Sequence, residues 1–288
     1  MLVLATIVED YGRRFVVKTD DGLLLEANTR KKRTDFACGD RVHIQKINQD
    51  QAVIEDYLPR TNVLFRQDVR KSKLLSANVD QVFIIAAPIP APNHDLIQRA
   101  ILATVAADIP AVLIVNKNDL LDKNSDVDIW QNYSNLLNIP IMYISALGNI
   151  DVVRDKMSGK CNLLIGQSGV GKSTLTNALL GEQIARIANI SAKETGCHTT
   201  THTRLFNIDN CSTLIDSPGI QSFGLYHLKN KELANYFPDM QEFLGKCRFH
   251  NCTHRNEPDC AIKIAVEEGK YPMERLLFLQ KIYNEINQ

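Results

Sequence analysis

Apolar and polar side chains alternate in five short runs near the N-terminus: Leu2 to Val8, Phe15 to Thr19, Leu23 to Ala27, Arg41 to Ile47 and Ala52 to Tyr57. A period of two marks strands buried on one face. Asp20-Asp21-Gly22 and Cys38-Gly39-Asp40 supply the turn residues between them. Five such strands in so short a span predict a small β-barrel over residues 1–58, with an OB-fold expected and an SH3-like barrel as the alternative. Residues 59–78 are polar and basic, carry Arg60, Arg66, Arg70, Lys71 and Lys73, and lack an apolar period. They read as a linker with one short ordered stretch.

From Val79 the pattern changes to buried strands alternating with amphipathic helices. Strands are predicted over Gln81 to Ala87, Ala111 to Asn116, Ile141 to Ile144, Cys161 to Ile165, Thr203 to Ile208 and Ser212 to Ile215. Helices are predicted near Asp95 to Ala107, around Asp128 to Leu137, after Ile150, and from Lys172 to Leu180, where Gly181 stops the chain. Such alternation builds a parallel sheet with helices on its faces, and it bounds an α/β domain at 79–224. Residues 225–288 read as mostly helical and end in an amphipathic helix from about Pro272.

The chain has 288 residues, enough for a nucleotide-binding domain with two small appendages. Its 33 basic and 33 acidic side chains cancel, so any anion-binding surface must come from local clusters, of which Arg30-Lys31-Lys32-Arg33 in a barrel loop is the obvious one. A membrane span is not expected, since no apolar run approaches roughly 18 residues. The opening Met1-Leu2-Val3-Leu4 soon reaches Glu9 and Asp10, which does not resemble a secretory leader. A cytoplasmic location is expected, and with it a reducing setting for the seven cysteines.

The chemistry is concentrated in the α/β region. Gly166-Gln167-Ser168-Gly169-Val170-Gly171-Lys172-Ser173 is a complete G-x-x-x-x-G-K-S phosphate loop, and it lies between a predicted strand and helix as that motif requires. Its glycines let the backbone curl so that N-H groups point at a pyrophosphate. Lys172 is placed to meet the β- and γ-phosphates, Ser173 to ligate Mg²⁺, and Thr174 to follow it at the start of a helix whose positive end faces the anion. Asn116-Lys117-Asn118-Asp119 ends another strand. There the Asp119 carboxylate can accept both guanine N-H donors, which adenine lacks, while Asn116 and Lys117 brace the loop. Ser145-Ala146 at the next strand end would complete the base site.

Asp216-x-x-Gly219 has the spacing of a γ-phosphate sensor, with the carboxylate on Mg²⁺ through water and the glycine N-H on the phosphate. Between it and the phosphate loop lies Gly196-Cys197-His198-Thr199-Thr200-Thr201, where a threonine is expected to complete the Mg²⁺ shell. Spacing leaves open which one, with Thr200 favoured. After Gly219 comes Ile220, where many GTPases place a glutamine that orients water, and His198 is the nearest replacement for that role. The guanine-reading motif thus precedes the phosphate loop, the reverse of the usual order, which implies a circularly permuted domain. A kinase or ATPase with an incidental Asp119 is the competing reading.

Cys247-x4-Cys252-x-His254-x5-Cys260 offers three thiolates and an imidazole, a complete tetrahedral set for one structural Zn²⁺, with His250 as a substitute ligand. Because the chain runs almost directly from Gly219 into this module, nucleotide state is expected to act on its position.

Taken in this order, the motifs closely resemble the RsgA family of ribosome small subunit-dependent GTPases over nearly the whole chain. The resemblance implies an N-terminal OB-fold, a circularly permuted GTPase domain and a C-terminal zinc-binding domain. It also implies a catalytic histidine at His198, binding to the 30S subunit and its 16S rRNA, late maturation of that subunit, stimulated conversion of GTP to GDP, and release on hydrolysis. A monomer is expected. An RNA-binding regulator that uses GTP occupancy without turnover is the alternative. Cys197 departs from the basic residue expected in many relatives, and the short N-terminus lacks the basic extension that some carry.

Overall fold

The computed structural model describes residues 2–30, 35–68, 71–121, 130, 133–134, 137–181, 202–217, 220 and 223–287. The expected helix around Asp128 to Leu137, Lys31 to Arg33, the whole His198 and Thr200 segment, and Gly219 therefore fall wholly or largely outside the described residues.

The first five strands are β1 (Leu2–Asp10), β2 (Phe15–Thr19), β3 (Leu24–Thr29), β4 (Arg41–Lys46) and β5 (Gln51–Tyr57). Their pairing runs β1-β2-β3-β5-β4 and closes by β4 onto β1, with β3 parallel to β5. That closed five-stranded order is the OB arrangement. Inward positions Ala5, Ile7, Phe15, Val17, Leu25, Val42, Ile44 and Ile54 are buried, so the period-two pattern describes the barrel wall correctly.

Residues expected as a linker instead form a hairpin, β6 (Val63–Asp68) with β7 (Lys71–Ala77). Leu64, Leu74, Leu75 and Ala77 are buried. A register irregularity between Leu64 and Phe65 breaks the alternation that would have revealed the strands.

The α/β part has β8 (Gln81–Ala86), α1 (His94–Ala106), β9 (Ala111–Val115), β10 (Ile141–Tyr143), α2 (Asp151–Met157), β11 (Cys161–Gly166), α3 (Lys172–Leu180), β12 (Thr203–Asn207) and β13 (Thr213–Asp216). In space the strands run β10-β9-β8-β11-β13-β12, all parallel except β12. The phosphate-loop strand β11 is central, and α2 lies in the connection from β10 into β11. The sheet does not stop at β12: β1 of the barrel pairs with it, so barrel and nucleotide sheet form one continuous surface.

Beyond Gly224 the chain is stitched to the hairpin, since Gln67 N donates to Gly224 O and Tyr226 N to Gln67 O. The C-terminal unit has α4 (Ala261–Glu267) and α5 (Met273–Ile286), preceded by two 3-10 segments, Asn230–Tyr236 and Pro238–Phe243. The helical expectation thus holds in its last third, while the cysteine loop itself is irregular. The unit is seated on α1. Buried Arg99 takes Glu285 of α5 in a two-pronged ion pair at 2.7 Å, and Arg275 of α5 spans Asp239 and Gln98. Among the described residues no helix is long and apolar enough to cross a membrane.

Candidate guanine nucleotide site and metal centre

Parallel strands deliver their C-terminal ends to one edge of a sheet, where ligands bind. At that edge β11 leads into Gly166 to Ser173, β9 into Asn116 to Asp119, β10 into Ser145 and Ala146, and β13 into Asp216.

The phosphate loop is shaped by two glycines that nothing else can replace. A Cβ on Gly166 would strike Ile85 O of the neighbouring strand, and one on Gly171, at φ +96°, would strike the Asn116 side-chain amide. Because Gly171 leaves that space, Asn116 Nδ2 donates to Val170 O at 2.8 Å while its Oδ1 accepts from Ala146 N at 2.9 Å. One buried amide thus ties three loops together. Lys117, in the left-handed region at φ +59°, donates from Nζ to Gly169 O and Ile89 O, each at 2.8 Å. Asp119 is exposed in a short 3-10 turn at the rim, open to an incoming base.

Lys172 Nζ lies between Gly166 O and Gln167 O at 2.9 and 3.0 Å. Burial pushes its pKa down, partly offset by Asp216. An anionic phosphate oxygen is a stronger acceptor for it than either carbonyl. Burial pushes the Asp216 carboxyl up to about 6, against the opposing pull of Lys172 and of Thr176, whose hydroxyl donates to Oδ2 at 3.3 Å. A buried carboxylate that one lysine and one hydroxyl leave under-neutralised, with the exposed Ser173 hydroxyl at the helix start, is the oxygen donor type that suits Mg²⁺. Ile220 N donates to Gly166 O, and its side chain is buried with Phe223 beneath the loop, against α1. An isoleucine facing that floor orients no water.

Three contributors escaped the sequence reading. Thr176 sits one helical turn after Ser173, and that spacing was its available signal. The Ile89 carbonyl carries no side-chain signal. Asn93, the N-cap of α1, receives Gln167 Oε1 on its N-H, a contact between segments distant in sequence.

The four sulfur and nitrogen donors of Cys247, Cys252, His254 and Cys260 lie within 4.8 Å of one another. Cys247 Sγ is 3.9 Å from Cys260 Sγ and 3.6 Å from His254 Nδ1, and His254 Nδ1 is 3.3 Å from Cys260 Sγ. A tetrahedral ion with Zn–S bonds of about 2.3 Å sets sulfurs roughly 3.8 Å apart, so the group fits a zinc ion. Burial and the neighbouring thiols push Cys252 up to about 12; a dication offsets that crowding of negative charge. His250 lies outside the donor set and lines an adjoining cleft.

These loops define a P-loop GTPase domain in which the guanine-reading half of the chain precedes the phosphate-binding half. A model of the RsgA GTPase family matches residues 57–226. The small ribosomal subunit biogenesis GTPase RsgA of Neisseria meningitidis serogroup C is 52% identical over 286 residues, covering 98% of this chain and 92% of its own. That of Nitrosomonas europaea is 37% identical over 280 residues, covering 96% and 89%. The crystal structure of YjeQ from Thermotoga maritima superposes with a TM-score of 0.72 at 26% identity, covering 100% of this chain and 99% of that one. YloQ, described as a circularly permuted GTPase, gives 0.69 at 24%, covering 100% and 96%. The chain belongs to the RsgA GTPase family, and it is an enzyme that hydrolyses GTP.

Proposed function

We propose that this protein binds the 30S ribosomal subunit, assists its late maturation, and leaves it after converting GTP to GDP and phosphate. The observation that carries the reading is the Asn116 amide, which joins the guanine motif, the Ser145-Ala146 loop and the phosphate loop into a single guanine nucleotide site. The family relatives named for small-subunit biogenesis supply the partner.

In this reading Asp119 selects guanine, with Asn116, Lys117, Ser145 and Ala146 holding its loop. Backbone N-H groups from Gly166 to Thr174 and the Lys172 ammonium hold the phosphates. Ser173, Thr200 and Asp216 are the residues that would hold Mg²⁺, which when bound offsets charge on the β- and γ-phosphates. Gly219 contacts the γ-phosphate, and His198 orients the attacking water in place of the glutamine that Ile220 displaces. A structural zinc held by Cys247, Cys252, His254 and Cys260 organises residues 225–288.

The 16S rRNA is met by the barrel of residues 1–58 and by the cleft of about 540 Å³ beside the cysteine loop, lined by Lys231, Phe249, His250 and Tyr283. Basic and aromatic side chains at such a surface suit RNA backbone and exposed bases. Arg30 is already engaged by Gln45 and Glu55 on the barrel wall. The protein works as a cytoplasmic monomer.

The test is the GTP hydrolysis rate with and without purified 30S subunits. Stimulation by about tenfold or more, abolished in His198→Ala, is expected. Equal rates with and without subunits would remove the coupling, and unchanged stimulation in the variant would remove His198.

A further inference from the structure

The strand that follows the His198 and Thr200 segment is held on both sides. On one side β12 pairs with β13, placing Arg204 opposite Asp216. On the other, among the described residues, it pairs with β1 of the barrel at two positions, Glu9 opposite Arg204 and Asp10 opposite Thr203. The side chains around this ladder reinforce it.

Both oxygens of Glu9 are engaged. Arg204 Nε meets Oε1 at 2.8 Å, and the Tyr11 hydroxyl donates to Oε2 at 2.6 Å. The Tyr11 ring lies flat on His202, with centroids 4.1 Å apart and planes at 24°, and the Arg14 guanidinium covers its ring at 5.2 Å. Buried Cys38, from the turn before β4, donates from Sγ to Thr203 O.

His202 follows Thr200 by two residues and His198 by four. We propose that Tyr11 and Glu9, although they belong to the barrel, are positioning residues for GTP hydrolysis. By holding His202 and Arg204 they fix the downstream end of the segment that supplies the water-orienting group. The inference rests on the reading of His198 given above.

The full-length chain, free of subunits and RNA, is assayed in single-turnover hydrolysis at saturating GTP, with GTP and GDP affinities measured alongside by fluorescent nucleotide. Tyr11→Ala and Glu9→Arg should each lower the hydrolysis rate by about tenfold with nucleotide affinity little changed, because misplacing a reacting group costs rate rather than ground-state binding. Tyr11→Phe keeps the stack and should retain most of the rate. The reversed pair Glu9→Arg with Arg204→Glu should recover much of what Glu9→Arg alone loses.

Rates within about twofold of the parent for both single variants, or losses that merely track nucleotide affinity, would overturn the proposal. His198→Ala runs in parallel. If it hydrolyses normally, the reading of His198 fails; if it is slow while the clamp variants are not, only the clamp fails. Tyr11 is 44% exposed, so its replacement leaves the fold standing, and thermal unfolding of each variant verifies this.

Discussion

At the scale of single residues, the site is built on exclusions. Gly171 has no side chain because the Asn116 amide occupies the position of its Cβ; that one absence permits the bonds to Val170 and Ala146. Asp119 stands exposed at the rim, where its two carboxylate oxygens match the two N-H donors on one edge of guanine. Asp119→Asn replaces one acceptor with a donor. It should weaken GTP by at least about a hundredfold and favour xanthosine triphosphate, whose C2 carbonyl accepts from that amide. Competition of the two nucleotides against a fluorescent analogue checks this.

At the scale of elements, two segments need something other than apolar burial to hold them. The hairpin β6–β7, besides burying Leu64 and Leu74, is tied to its neighbours by backbone bonds between Gln67 and both Gly224 and Tyr226. The cysteine loop has little apolar surface of its own, and its order depends on four donors and on the Gln280 Nε2 bond to His254 O. If the four donors hold zinc as proposed, a chelator or Cys252→Ser should open this loop to proteolysis between Cys247 and Cys260 while GTP binding persists. Metal content and the cleavage pattern, read together, test it.

Most elements were legible in the sequence because their periodicity follows from local burial. The barrel strands, β8, β9, β11 and α3 lie within a residue or two of their expected bounds. The hairpin was not legible, since a register irregularity and basic side chains hide its alternation.

Over the whole molecule, α1 is where the parts meet. Its N-cap Asn93 touches Gln167 of the phosphate loop, its apolar residues lie over Ile220 and Phe223, and its Asp95, Gln98 and Arg99 carry α5 of the C-terminal unit. The sequence suggested that nucleotide state reaches the zinc module along the chain after Gly219. In the fold that stretch is fastened to the hairpin, and side-chain bonds from Asp95, Gln98 and Arg99 of α1 hold the C-terminal unit. Arg99→Ala should cost the C-terminal unit about 2 kcal/mol, less than the 3–5 of a fully buried pair because Glu285 keeps some water. Denaturant unfolding with a reporter near α5 should show this loss, with GTP affinity unchanged.

The sequence by itself carried the candidate chemistry: the phosphate-loop motif, the Asn116 to Asp119 motif, Asp216 and the cysteine and histidine donors are each contiguous or regularly spaced, so their residue types announce them. It also determined the permutation, since motif order is a property of the chain. Only the tertiary structure decided how these parts bear on one another. That Asn116 reaches Val170, that β1 extends the nucleotide sheet, and that Arg99 receives Glu285 are contacts between residues far apart in sequence. Such contacts leave no local period, because they depend on where the strands and helices are finally packed.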